Sequence, residues 1–292
     1  MSRWKCPVVL LTVCLSSRLL VGPVTAASCP DSGGETVRIA AVEPRLELRL
    51  ADGRLLRLAG LDPSLQTPAD PDLGETARTR LAALVGGREV TVHILANAPD
   101  RWGRFVGFVV RTDGIPSDVA TEAIAEGLGR YLAEPAARSC RGALLAAEEK
   151  ARVAKLGLWS DPYYSVLAAD DGAGFSERSG TIVLAEGRLT GVQVDPYRTT
   201  LRFAASKVRR NSSGTGSFGG HMLVATILPR NLKTFEAQKV DLKALIGQQI
   251  RFRGLLDLRF GPRIELSSPD EVELEPGSIA PPVEAAPPSD PN

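Results

Sequence analysis

Apolar and polar residues alternate with period two at Leu46, Leu48 and Leu50, with Glu47 and Arg49 between them, as in a strand buried on one face. Thr36 to Val42 predicts a strand before it. Asp52-Gly53 is a hairpin signal, and Leu55 to Leu61 predicts the return strand. Pro63 to Asp72 holds three prolines and reads as a loop. The period then changes. Ala77, Leu81, Ala82 and Leu84 make an apolar stripe that predicts a helix over Leu73 to Val85, ended by Gly86-Gly87. Glu89 to Leu95 and Gly103 to Thr112 predict two more strands around an Ala-Pro-Asp turn. Ser117 is the expected N-cap of a second helix running through Glu126 and closed by Gly127. A third helix is expected over 137–156, stopped by Gly157, with Trp159 packing back on the body.

Asp161 to Arg178 is polar and turn-rich, so a linker is expected there. A second β-rich unit follows, with strands over Thr181 to Val194, Thr199 to Ala205, Met222 to Leu228, Ile250 to Leu258 and Arg263 to Leu266. One short helix is expected over Asp241 to Ile246. Five strands with a helix in the later half suit a small closed barrel of the OB type. Asn211 to Gly220 is Ser/Gly-rich and reads as a loop; 276–292 is Pro-rich without core formers and reads as a disordered tail. The expected division is 1–26 signal peptide, 27–35 leader, 36–162 first domain, 163–178 linker, 179–275 second domain and 276–292 tail.

A length of 292 residues accommodates two such domains, and 43% hydrophobic with 24% charged residues is ordinary for a globular chain. A net charge of +1 means that any attraction for nucleic acid must come from local patches. Arg3 and Lys5, the apolar run Pro7 to Val21 and the small residues Val24-Thr25-Ala26 form a secretory signal pattern, which predicts an exported, periplasmic or secreted, protein. An N-terminal membrane anchor and a lipoprotein signal ending at Cys29 are the alternatives. Cys29 and Cys140 remain after the signal and are expected to form a disulfide, with two separate thiols as the alternative. With only His93 and His221 besides, a soft-ligand metal site is not expected.

The text RLRLAGLD, GETA, DRWGRF and LLAAEEKARVAKLGLWSDP resembles the thermonuclease, or staphylococcal-nuclease-like, family over 36–162. LAEGRLTGV and DLKALIGQQIRFRGLLD resemble, more weakly, the additional OB domain behind such nucleases in some bacterial exported proteins. The resemblance implies a mainly β fold with α: a nuclease-type OB barrel of five strands and three helices, followed by a second small OB-like barrel. It also implies calcium-dependent hydrolysis of DNA and RNA phosphodiesters. In that pattern Arg57 and Arg104 clamp the phosphate, as bidentate guanidinium donors suit a phosphoryl group. Asp62 is the metal ligand, and Arg101 with Trp102 borders the nucleotide, where an aromatic face can stack a base.

The chain departs from the pattern at two carboxylates. D-G-D-T has become Pro44-Arg45-Leu46-Glu47, so Leu46 holds a calcium-ligand position, and Leu65 holds that of the water-handling glutamate. The tyrosine positions beyond Gly127-Leu128-Gly129 are Ala133 and Pro135. Calcium wants several oxygen ligands, and Asp62 alone supplies one side chain, unless Glu43 or Glu47 swings in at a bulge. Three readings stay open: a thermonuclease-like protein with a weakened or inactive site that retains nucleic-acid binding, an envelope interaction module, and an active calcium-dependent nuclease. On the plainer reading Arg57, Arg104 and Asp62 form a structural ion cluster, Trp102 is a turn aromatic, Glu75 favours the helix dipole, and Tyr131 is core. In the second barrel Arg202, Lys207, Arg209, Arg210, Arg251, Arg253, Arg259 and Arg263 read as a solvated charged face or a single-strand groove, and Phe203 and Phe252 as core.

Overall fold

The computed structural model describes residues 29, 33–114, 116–205 and 222–274. The expected signal peptide, loop over 211–220 and tail over 276–292, with Lys207, Arg209, Arg210 and His221, lie outside these residues.

The first barrel is built from β1 (Glu35–Glu43), β2 (Glu47–Leu50), β3 (Leu55–Leu58), β4 (Leu61–Pro63), α1 (Leu73–Val85), β5 (Glu89–Ile94), β6 (Arg104–Arg111), β7 (Ser117–Asp118), α2 (Val119–Ala125), β8 (Gly129–Tyr131) and α3 (Arg141–Val153). β1 pairs antiparallel with β2 and β5, β2 with β3, and β5 with β6. β3 closes the barrel on β6 in parallel. The period-two leucines deliver what they promise: Leu46, Leu48, Leu50, Leu56 and Leu58 are all buried, and α1 adds Ala77, Leu81 and Val85 to the same core.

Three local departures from expectation have physical causes. The return strand stops at Leu58, because Gly60 turns the chain at φ 78° and the next residues form β4, which pairs with β8 instead. A side chain at Gly60 would place Cβ 2.6 Å from Leu144 Cδ1. Ser117 lies in β7, and Asp118 caps α2, its carboxylate accepting from Thr121 N at 2.8 Å. The third helix begins as a 3-10 turn over Pro135–Cys140 and is α-helical only from Arg141 to Val153. Trp159 does pack back, at 8% exposure.

Between β1 and β2 the chain makes a single 3-10 turn, Pro44–Leu46, in which Arg45 sits at φ 65°, ψ 24° and Leu46 at φ 59°. L-residues enter this left-handed region at about 1–2 kcal/mol each. The turn lets Leu46 and Leu48 both face the core, while Glu47 faces outward.

The expected linker 163–178 is structured. It holds β9 (Leu167–Ala168), which pairs in parallel with β10, and α4 (Gly172–Glu177), whose Phe175 is buried in the second core. The second barrel comprises β10 (Ile182–Val194), β11 (Thr199–Phe203), β12 (Val224–Ile227), α5 (Pro229–Ala237), β13 (Gln249–Asp257) and β14 (Arg263–Leu266), with β15 (Val272–Leu274) on β13. β10 to β14 form a closed five-stranded barrel, with β12 and β14 parallel and β13 returning to β10. Phe203 and Phe252 stack in its core at 4.7 Å. The helix expected over 241–246 is a 3-10 turn at Lys243–Leu245. No helix among the described residues is long and apolar enough to cross a membrane.

The two barrels meet through buried charge. Arg253, on β13, donates to Tyr131 O at 2.7 Å and to Glu148 of α3 at 2.8 Å, and also pairs with Glu273. Burial works against its charge, but the Glu148 and Glu273 carboxylates outweigh this and raise its pKa above the ordinary arginine value. Arg138 donates to Asp270 at 2.7 Å across the same seam.

Candidate functional site

The mouth of the first barrel is a cleft of about 350 Å³, lined among others by Glu47, Arg57, Asp62, Asp100, Trp102 and Arg104. β3 supplies Arg57 and the start of β6 supplies Arg104, and because β3 and β6 are paired the two guanidinium groups open on one cleft. The Gly60 turn brings Asp62 to the same place. The sequence-predicted Arg57, Arg104, Asp62 and Trp102 thus line one site.

Of the charged residues that line the cleft, all but Arg45 have a partner among the described residues. Arg57 grips Glu134 bidentately, Nη1 to Oε1 at 2.9 Å and Nη2 to Oε2 at 2.7 Å, and Glu134 also accepts from Gly60 N at 2.7 Å. Arg104 donates Nε and Nη2 to Asp100 Oδ2 at 3.0 and 2.8 Å and Nη1 to Glu47 Oε1 at 2.7 Å. Burial works to raise the Asp100 carboxyl, but hydrogen bonds from Arg104 and from the Arg104 and Trp102 backbone hold it below the ordinary aspartate value. Burial likewise works to lower Arg104, and its bonds to Asp100 and Glu47 hold it above the ordinary arginine value. Asp62 accepts from Arg130 Nε at 2.8 Å, and Arg130 reaches on to Ile182 O at 2.7 Å at the start of the second barrel. The two-bond grip of Arg57 on Glu134 has the fork geometry with which arginine also takes a phosphate.

Leu46 is 2% exposed and belongs to the core, whereas Leu65 is 43% exposed. Glu47 faces the cleft but is bonded to Arg104; Glu43 is bonded to Arg49 at 2.6 Å. Among the described residues no group of three or more His, Cys, Asp or Glu side chains is placed to hold a metal ion. Trp102 is 60% exposed, with the Arg101 and Arg104 guanidinium carbons 3.9 and 4.7 Å from its ring centroid. Cys29 and Cys140 are bridged, with Cα atoms 4.7 Å apart, and Cys140 ends the 3-10 turn that leads into α3.

The partners Glu134, Arg130 and Asp100 are not singled out by the sequence reading. Asp100 carries a local signal, since Asp100 and Arg104 frame DRWGR. Glu134 lies 77 residues from Arg57 and Arg130 lies 68 from Asp62, so only the fold joins them. Glu134 stands between Ala133 and Pro135, the two positions that the resemblance assigns to tyrosine.

The family model described as Staphylococcal nuclease homologue matches residues 56–161. A search of curated proteins gives no match. The matched span runs from β3 through α3 to the turn carrying Trp159, and so takes in Arg57, Asp62 and Arg104. Residues 56–161 are therefore a staphylococcal-nuclease-like domain of OB type, and the second barrel stands outside the match.

Proposed function

We propose that this is an exported member of the nuclease fold group in which the phosphodiester site no longer turns over, leaving a cleft whose remaining role is binding. One observation carries the reading: the cations that would clamp a phosphate and the carboxylate that would hold a metal are each neutralised by a charge from the chain itself. For Arg57 to take a phosphate it must release Glu134, leaving a carboxylate that is largely sheltered from water beside a second anion. The donor set does not fit calcium. Glu47, Asp62, Asp100 and Glu134 are arginine-bound, and the position that would supply the further ligand is a core leucine. Export rests on the signal pattern, supported by the Cys29–Cys140 bridge, a bond that persists in oxidising compartments.

The test is cleavage of single-stranded and duplex DNA by the full chain, with calcium and with chelator, beside an Arg57→Ala, Arg104→Ala double variant. The expected result is no calcium-dependent cutting at micromolar protein. Cutting by the wild type that the double variant loses overturns the reading. A salt titration of oligonucleotide binding is expected to show a shallow slope, because few free cations are available to displace counterions.

A second reading, a protein-interaction module, is favoured by one feature: Leu65, at the position of the water-handling carboxylate, is an exposed apolar residue in a larger cavity walled by both barrels.

A further inference from the structure

Two cavities meet at Arg45. One is the arginine cleft; the other, of about 690 Å³, opens between the loop after β4 and the first strand of the second barrel. Both are lined by Arg45, Asp62, Pro63 and Ile182. The larger cavity presents apolar groups to solvent. Leu65 is 43% and Leu255 57% exposed, and Ile182 lies directly across from Leu255 in the β10–β13 pair. Tyr163 adds an aromatic wall.

The charges of the larger cavity are settled with one exception. Arg78 is held by Glu75, and Arg130 by Asp62. In the arginine cleft Arg57 and Arg104 are held as described above. Arg45 is exposed and, among the described residues, has no hydrogen-bond or ion-pair partner. Its backbone is at φ 65°, ψ 24°, a conformation that glycine adopts readily and that a long side chain does not favour. D-G-D-T places glycine at this position, so the chain carries an arginine where the backbone favours none. Arg45 is thus a lone cation in a strained backbone conformation at the junction of an apolar groove.

We propose that the joined groove is a docking site for a polypeptide segment that carries a carboxylate beside an apolar side chain. Arg45 takes the carboxylate, and Leu65, Ile182 and Leu255 take the apolar group. Charge complementarity favours a peptide over a nucleic acid. The groove offers one net positive charge next to aliphatic walls, whereas a strand of nucleic acid brings a phosphate with every nucleotide and needs a row of cations. This inference does not depend on whether the chain cleaves phosphodiesters, which the cleavage assay reads separately.

The experiment uses the full chain labelled at leucine and isoleucine methyl groups and follows their NMR shifts on titration. The probes are the blocked tetrapeptide acetyl-Pro-Leu-Glu-Leu-amide, its Gln counterpart, and an oligothymidylate. The Glu peptide is expected to shift Leu65, Ile182 and Leu255 saturably. The Gln peptide, and the Glu peptide against Arg45→Gly, are expected to bind about fivefold more weakly or worse. Arg45→Gly is also expected to raise the thermal midpoint, because glycine relieves the positive φ, so lost binding is separable from lost folding. Three results overturn the proposal: no saturable shift with millimolar Glu peptide, equal affinity for the two peptides, or tighter saturation of the same methyl groups by the oligothymidylate.

Discussion

At Leu46 and Leu65 two residues of the same type replace carboxylates of the family pattern, and the fold treats them oppositely. Leu46 is packed in the barrel core in a strained turn, 2% exposed at the edge of the cleft that it borders. Leu65 stands at a cavity wall, half in water. Restoring acidity should therefore have unequal effects. Leu46→Asp is expected to destabilise by about 3 kcal/mol or more, through an unpaired buried carboxyl and lost packing. Leu65→Glu is expected to stay within about 0.5 kcal/mol of wild type. Denaturant midpoints of the two variants test this; a Leu46→Asp variant as stable as wild type would mean that the turn swings outward. The arginines carry the same lesson. Arg57 and Arg104 are legible in the sequence as phosphate-facing groups, and they do line one cleft. Asp100 stands four residues from Arg104 and so carries a local signal, but the occupation of Arg57 by Glu134 and of Arg104 by Glu47 depends on three-dimensional contacts that residue type and spacing do not encode.

Among the elements, the Cys29–Cys140 bridge ties the start of the described chain to the turn entering α3, across 111 residues. Closing so long a loop restricts the unfolded chain, and opening it in a Cys29→Ser, Cys140→Ser variant is expected to lower unfolding stability by about 3–4 kcal/mol. Matched urea unfolding of the two proteins measures it; a difference under about 1 kcal/mol would show that the bridge contributes little. The strands and α1 were legible because their apolar residues repeat cleanly: the prediction of Leu73 to Val85 coincides with α1. Where the pattern was faint, the reading failed. α5 begins at a proline and turns only Leu232 and Phe235 toward the second core, a stripe too short to stand out in the sequence. Residues 163–178 looked like a linker because they are polar and rich in turns. Yet Phe175 and Leu167 anchor them in the second core, and Arg178, 7% exposed, holds the carbonyls of Pro162, Tyr163 and Gly174. Two apolar side chains, one of them in a two-residue strand, can order a segment that composition alone marks as loose. The third helix was placed too early because Pro135 to Cys140 is compatible with helix, whereas Pro135 instead opens a tighter 3-10 turn.

Across the whole molecule, the two barrels share one strand plan, three strands, a helix and two strands, with the first and fourth strands paired and the third and fifth parallel. They are joined by Arg253, whose guanidinium is buried among Glu148, Glu273 and Tyr131 O. Removing one partner of such a cluster strands the others. Arg253→Met is expected to destabilise by about 3–5 kcal/mol. Wild type is expected to unfold in one calorimetric transition and the variant in two; two resolved transitions in the wild type would show that the seam does not couple the barrels. Glu148 also accepts from Tyr131 N at 2.9 Å, so a single carboxylate serves both halves. The order of synthesis gives this a temporal meaning. Glu148 leaves the ribosome 105 residues ahead of Arg253. At about 5–20 residues per second, α3 waits roughly 5–20 s for its counter-charge. During that interval the nascent nuclease-like half lacks the guanidinium that its buried Glu148 faces in the finished protein.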